Sequence, residues 1–350
     1  MHEQDLTAEL QQRVRQAIAD NHALRIVGGD SKAFYGGHCL AEEKLETSGH
    51  RGVVAYEPSE SVITARAGSK LTNIAEVLAG QRQMLGFEPP DFAGQATLGG
   101  SLACGFSGPR RPFAGSARDF MLGCKIINGH GEVLNFGGRV MKNVAGFDVS
   151  RLMVGALGSL GVILEVSLRV MPVPETELTL TYQMTEQQAL VRMSALSGQP
   201  WPLSAMAYDG DRLWLRLSGA GAAVRTAARQ LGGDMVDGAV FWQDLREQQL
   251  PFFQMPGGLW RISVAPATAP LKLSGHWLLD WSGALRWLKT DMPAEAVHSA
   301  AQQAGGYAVC FRGGDKSNWF RLAAGMQALQ QNIRAAFDPL SIFNPGRLWP

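Results

Sequence analysis

The stretch QATLGGSLACGFSGPRR, residues 95–111, decides how this chain is read. Gly99, Gly100, Gly105 and Gly108 stand among Ala96, Ser101, Ala103 and Ser107. A run so poor in bulk builds no core of its own. It lets backbone approach something closely, because glycine has no Cβ and accepts dihedrals that other residues avoid. Thr97, Ser101 and Ser107 add hydroxyls, and successive N–H groups form a concavity that suits an anion. The pattern favours a phosphate-bearing cofactor laid along an irregular loop. The plainer alternative is two backbones packed tightly, with Arg110 and Arg111 solvated.

Composition narrows the setting. The chain has 350 residues, enough for two domains, and is 46% hydrophobic and 18% charged, so it is globular rather than disordered. A net charge of +1 gives no electrostatic case for nucleic acid or anionic lipid. Of its 41 glycines, 15 fall between Gly94 and Gly161, which locates a specialised backbone surface. The cysteines Cys39, Cys104, Cys124 and Cys310 form no C-x-x-C pair, so zinc and iron–sulfur ligation are poorly supported and reduced thiols are expected. The N-terminus lacks an apolar signal region, and no apolar run approaches the ~18–20 residues of a span. The expectation is a cytoplasmic protein. Any membrane contact would be peripheral, on the inner face of the cytoplasmic membrane and through partners.

Working outward from residues 95–111, periodicity marks a helix over 6–21 and a strand over 24–27. That strand runs into Gly28-Gly29-Asp30-Ser31-Lys32, which reads either as a pyrophosphate loop or as an ordinary β-turn. Strands follow at 51–56 and 61–67, then a helix at 72–78 and a stiff segment, Phe87-Glu88-Pro89-Pro90. Residues 119–136 read as a hairpin around an Asn128-Gly129 turn, and 162–170 as a strand. Met171-Pro172-Val173-Pro174 closes the glycine-rich half. Beyond it, strands at 178–182, 205–208, 213–217, 259–264, 276–281, 285–288 and 307–311 alternate with helices at 185–197, 221–231 and 294–304. That pattern predicts an α+β domain with an antiparallel sheet. A last helix covers 321–337. The domains are expected at 1–174 and 175–330, with a tail, 331–350, returning to the first.

Four features then occur in order: VGGDSK at 27–32, GFEPP at 86–90 leading into ATLGGSLACGFSGPRRP at 96–112, KNVAGFDVSRLMVGALGSLGVILE at 142–165, and FDPLSIFNPGR at 337–347. Together they resemble the flavoproteins of the vanillyl-alcohol oxidase type, with the PCMH-type FAD-binding fold, and within that group the FAD-binding subunits of bacterial glycolate oxidases. The resemblance implies an FAD domain of two α+β subdomains and an α+β cap. It assigns Gly28, Gly29, Asp30, Ser31 and Lys32 to the first pyrophosphate loop. Pro89, Thr97, Gly99 and Gly100 match the segment beside the adenosine and diphosphate. Gly105, Gly108, Pro109 and Arg110 match the stretch running towards the isoalloxazine. Gly161, Val162 and Ile163 match a loop with backbone contacts to the cofactor, and Asn344 and Arg347 match the tail motif. Lys142, Asn143, Asp148 and Arg151 match a motif read here as a structural ion-pair network.

The chain also departs from its group. Covalent relatives often place a histidine where Asp30 stands, so non-covalent FAD is expected. Relatives that oxidise 2-hydroxy acids carry a metal-binding histidine cluster in the cap. None of the seven histidines here lie close enough in sequence to form one, so no metal site is expected. No catalytic residue stands out; Arg261, Arg286 and Arg312 are weak candidates for gripping a carboxylate, and His276 for a base. The resemblance then implies a second FAD-binding subunit and an iron–sulfur subunit as partners, and a small 2-hydroxy acid as the substrate of the complex. A structural, flavin-retaining subunit and a stand-alone oxidase of another alcohol remain as alternatives.

Overall fold

The computed structural model describes residues 3–138, 148–314, 319–320 and 324–348. The chain divides into two compact units. The first is Met1–Phe106, Ser116–Pro172 and Leu322–Pro350; the second is Ser107–Gly115 and Val173–Arg321. A break at 330/331, as read from sequence, would cut the helix Ala324–Phe337 in two. That helix instead stays whole with the first unit, where Phe337 meets Phe136 edge-on at 6.2 Å. The sequence also gave no sign that Ser107–Gly115 joins the second unit.

In the first unit, the helix Thr7–Ala19 turns Leu10, Val14 and Ala17 inward. Strand β1 (Leu24–Val27) pairs in parallel with β2 (Glu43–Glu46). Strands β3 (Val53–Glu57) and β4 (Val62–Arg66) precede a short β5 (Gln83–Met84). The expected hairpin is β6 (Met121–Ile127) with β7 (Val133–Gly137), and β8 (Val162–Arg169) and β9 (Met171–Pro172) complete the unit. Five of these form one antiparallel sheet in the order β3-β4-β8-β6-β7, while β5 pairs with β9. Strand β8 shows why alternation matters. Val162 and Leu164 enter the core with Leu10, Leu24, Ile342 and Phe343, so Ile163 turns to the opposite face.

The second unit carries one eight-stranded antiparallel sheet. Its strands are β10 (Thr176–Gln183), β11 (Leu203–Tyr208), β12 (Arg212–Gly219), β13 (Asp234–Val236), β14 (Gly258–Ser263), β15 (His276–Asp280), β16 (Leu285–Thr290) and β17 (Tyr307–Arg312). They lie in the order β13-β10-β12-β11-β15-β16-β14-β17. The helices Glu186–Ser197 and Gly221–Leu231 pack Leu190, Met193 and Val224 onto β10, β11 and β12. The architecture is the α+β fold that the pattern predicts. No helix among the described residues is long and apolar enough to cross a membrane.

One expectation is corrected. Much of the glycine-rich stretch is not an irregular loop: Leu98–Cys104 is a helix. Thr97 caps it, its Oγ1 accepting the Gly100 N–H at 3.3 Å, and Gly105 ends it in the left-handed region at φ +66°. Two glycines in seven residues weigh against a helix in isolation, but the cap and the burial of Leu98 and Leu102 outweigh propensity.

The first unit also encloses a histidine. The His50 Nδ1 accepts the Leu6 N–H at 2.9 Å, while its buried Nε2 has no protein partner among the described residues. Burial holds its pKa below the usual 6.5, against the pull of Asp5. His50 is therefore neutral when folded, and the unfolded chain takes up the extra proton. Its share of stability is complete above its unfolded pKa and is lost as pH falls. Asp5, held at about 2 chiefly by hydrogen bonds from Thr7, acts in a lower window. Denaturant titrations should show stability dropping between about pH 7.5 and pH 5.5. His50→Asn, whose Oδ1 still accepts the Leu6 N–H, should flatten that drop; parallel slopes in the two proteins would refute the assignment.

Candidate cofactor-binding site

Strand β1 delivers Gly28 to Lys32 to the floor of a cleft of about 780 Å³, counted with its open mouth. The cleft lies wholly within the first unit. Thr97, Gly99, Gly100, Ala103 and Cys104 supply a second wall, and Leu157, Gly158, Gly161 and Ile163 a third. The glycines answer to contact rather than to flexibility. A Cβ on Gly28 would stand 2.3 Å from Thr97 Oγ1, and one on Gly29 would stand 1.7 Å from the Gln95 carbonyl oxygen. The two glycine-rich stretches that the sequence presents separately are thus pressed together, backbone against backbone.

That approach leaves donors facing the cleft. Asp30 adopts φ +51°, and the N–H groups of Gly28, Gly29, Asp30 and Ser31 have no protein acceptor among the described residues. The Arg25 Nη2 lies 3.0 Å from both Asp30 carboxylate oxygens and holds the turn. Lys32 is 6% exposed; its Nζ donates to Ser31 Oγ at 3.0 Å and lies 5.3 Å from the Phe92 ring centroid. Arg25, Lys32 and Arg347 bring three cations to the lining, against one carboxylate from Asp30. Burial pushes the Cys104 thiol up, though Lys32 and Arg347 oppose this, so the sulfur adds no negative charge. Unpaired N–H donors in a cationic, glycine-walled cleft suit a diphosphate.

The C-terminal tail completes the cleft. Asp338, 1% exposed, accepts the Ile342 N–H at 3.0 Å and the Phe343 N–H at 2.9 Å. The tail then runs beside β1, where Leu24 N–H donates to Ile342 O at 2.7 Å and Asn344 N–H to Leu24 O at 2.9 Å. The Asn344 side chain joins two walls: Oδ1 accepts the Ile26 N–H at 2.7 Å and Nδ2 donates to Leu157 O at 2.7 Å. Arg347 donates to Ala33 O at 2.9 Å and to Lys32 O at 3.3 Å, behind the glycine loop.

Of the residues expected to hold the cofactor, Gly28, Gly29, Asp30, Ser31, Lys32, Thr97, Gly99, Gly100, Gly161, Ile163 and Asn344 line this cleft. Val162 turns into the core, and Pro89 is buried away from the lining. Gly105 closes the capped helix. Gly108, Pro109 and Arg110 belong to the second unit, where Gly108 O accepts Trp281 Nε1–H at 3.0 Å and Arg110 pairs with Glu177 at 2.8 Å. Arg25, Thr47, Leu157 and Gly158 were missed. Gly158 carried a signal, since it shares three-residue spacing with Gly155 and Gly161; Arg25 carried none.

The cap candidates are not gathered into a site. Arg286 is fully buried and donates to the carbonyls of Gly283 at 3.2 Å, Ala269 at 2.8 Å and Thr268. Arg312 donates to Gln248 Oε1 at 2.9 Å. His276 is exposed at the start of β15, opposite Lys289. Arg261 lies over the Trp281 ring at 4.9 Å. Asp148 and Arg151 form an exposed pair at 3.0 Å, while Lys142 and Asn143 lie outside the described residues. Among the described residues, no three His, Cys, Asp or Glu side chains converge as a metal site.

Residues 5–137 match the family described as FAD binding domain. FAD is the cofactor. Glycolate oxidase subunit GlcE of Escherichia coli (strain K12) is 47% identical over 350 residues, spanning 100% of this chain and 99% of that one. The chain belongs to the family of glycolate oxidase FAD-binding subunits and is a component of an FAD-dependent oxidoreductase. Glycolate oxidase subunit GlcD of Bacillus subtilis (strain 168) is 31% identical over 166 residues, 47% of this chain and 35% of that protein. A solved structure of alkyldihydroxyacetonephosphate synthase shares the fold, with TM-score 0.68 at 15% identity, over 97% of this chain and 75% of that one.

The glycines make a separable test. At Gly100 a Cβ would meet only Thr97 Oγ1 at 3.0 Å and otherwise face open space on the cleft side. Gly100→Leu should therefore fold with a near-native melting temperature and bind FAD at least about tenfold more weakly. Gly29→Ala should fail earlier, as loss of soluble, cooperatively folding protein. Unchanged FAD affinity in a folded Gly100→Leu protein would count against this cleft as the cofactor site.

Proposed function

We propose that this chain is the FAD-holding subunit of a complex that oxidises glycolate to glyoxylate, beside a second FAD-binding subunit and an iron–sulfur subunit. The observation that carries the reading is the cradle of N–H groups at Gly28–Ser31, which have no acceptor among the described residues, closed by Asn344. When bound, FAD supplies an acceptor for the hydride leaving the α-carbon of a 2-hydroxy acid and a donor of single electrons to an iron–sulfur centre. The chain's own residues hold and orient. Gly28 to Ser31 present N–H donors to the diphosphate, Arg25, Lys32 and Arg347 balance its charge, and Ile163 and Leu157 give an apolar wall. Asp30 stands where a linking histidine would be needed, so the flavin is held without a covalent bond.

Substrate oxidation is assigned to the second flavoprotein, with this subunit relaying electrons. Arg286 and Arg312 are engaged with protein acceptors, and His276 is exposed at the start of β15. The protein acts in the cytoplasm and reaches the membrane only through its partners. The test is the absorbance spectrum of the purified chain, with and without glycolate. The expected result is a yellow protein whose flavin enters the supernatant on acid precipitation and bleaches with glycolate only when both partners are added. Bleaching by glycolate in the isolated chain would replace the relay with a stand-alone oxidase. Full activity of a complex whose cleft no longer holds FAD would leave a structural subunit.

A further inference from the structure

The β6–β7 hairpin turns at Asn128-Gly129. Gly129 does not take a positive φ, in contrast to Gly131 at +71°, so the turn does not itself demand glycine there. What excludes a side chain is the C-terminal tail. A Cβ on Gly129 would stand 2.6 Å from Asp338 Cα, 2.8 Å from Asp338 Oδ1 and 2.9 Å from the Phe337 carbonyl oxygen. The Gly129 N–H donates to that same carbonyl oxygen at 2.7 Å. Both partners belong to the first unit.

The turn is a fixed seat. Asn128 Oδ1 accepts the His130 N–H at 3.0 Å and the Glu132 N–H at 2.9 Å. Gly131 O accepts from Gln11 Nε2 at 2.9 Å and from Arg15 Nε at 3.1 Å, which ties the turn to the helix Thr7–Ala19. On this seat Asp338 starts the turn of the tail by accepting the Ile342 and Phe343 N–H groups. Ile342 and Phe343 then share a core with Ile127, the last residue of β6, and with Leu24 of β1. Asn344 follows and bonds to Ile26 and Leu157 in two walls of the cleft. Among the described residues that line the cleft, none comes from 128–131. The turn therefore reaches the cleft only through the tail, by close-packed and hydrogen-bonded groups that do not shift independently.

We infer that Gly129 is a positioning residue for the cofactor: the hairpin turn seats the tail, and the seated tail sets FAD affinity through Asn344. The inference rests on the reading that this cleft holds FAD. Such coupling is reciprocal. FAD tightens the tail on the hairpin by the same factor as the seated tail tightens FAD.

The test is a double-mutant cycle in flavin-stripped full-length protein, read as the dissociation constant for FAD by flavin fluorescence. Gly129→Ala and Asn344→Asp should each weaken FAD by about tenfold. The double variant should also lose about tenfold, because both changes act on one contact. His130→Ala, which trims an exposed side chain of the same turn, should leave the affinity unchanged. Losses that multiply to about a hundredfold in the double variant would overturn the inference. Native affinity in Gly129→Ala beside weakened Asn344→Asp would overturn it too and leave the cleft reading standing. Native affinity in both single variants would overturn the cleft reading, and the inference with it. Should Gly129→Ala fail to fold, hydrogen exchange in the unaltered protein decides. Saturating FAD should slow exchange at Gly129, Ile342 and Phe343 several-fold more than at β3, on the opposite edge of the same sheet. An equal change at the turn and at β3 would overturn the coupling.

Discussion

The first unit depends on one close approach: the backbone of Gly28 and Gly29 against residues 95–97. At 1.7 Å from a carbonyl oxygen, no Cβ fits at Gly29 without moving backbone. This contact places β1 beside the capped helix Leu98–Cys104 and sets the width of the cleft between them. It also keeps the N–H groups of Gly28 to Ser31 out of any ladder, because the chain must turn through Asp30 rather than continue β1. In the proposed reading, this packing is what makes the diphosphate site. The same glycines that allow the walls to meet leave the donors that a phosphate needs.

The tail makes this arrangement non-local. Asn344 is separated from Ile26 by 318 residues and from Leu157 by 187, yet its one amide bonds to both. Asp338 fixes the turn that brings it there. The cleft is therefore assembled from the beginning, middle and end of the chain, and the second unit is inserted in sequence between parts of the first. A site so built is cooperative with the fold of its unit, since losing the tail removes backbone partners from two of its walls.

Most of the secondary structure was legible in the sequence because alternation and caps are local signals. Gly221–Leu231 has the expected bounds, and the β6–β7 hairpin forms around Asn128-Gly129. What failed was what local pattern cannot carry. The helix Leu98–Cys104 was hidden because glycine propensity argues against it, and the Thr97 cap acts only once the helix exists. Arg25 reads as a strand residue until its strand is seen to border the cleft. Arg286 looks like a substrate residue in GALRWL, yet full burial among carbonyl oxygens makes it a brace for the loop around Thr268. Arg261 and Arg111 are 150 positions apart, and only the turn carrying Trp281 brings them to one ring.

The central claim is that the cleft bounded by Gly28–Lys32, Thr97–Cys104 and Asn344 holds the FAD diphosphate. Its most direct test is FAD titration, followed by flavin fluorescence, into flavin-stripped full-length protein and its Asn344→Asp variant. The aspartate still accepts the Ile26 N–H but cannot donate to Leu157 O, so one wall is released while the side-chain volume is kept. The account predicts a dissociation constant raised by about tenfold or more with an unchanged far-ultraviolet circular dichroism spectrum. Equal affinity in the two folded proteins would contradict it.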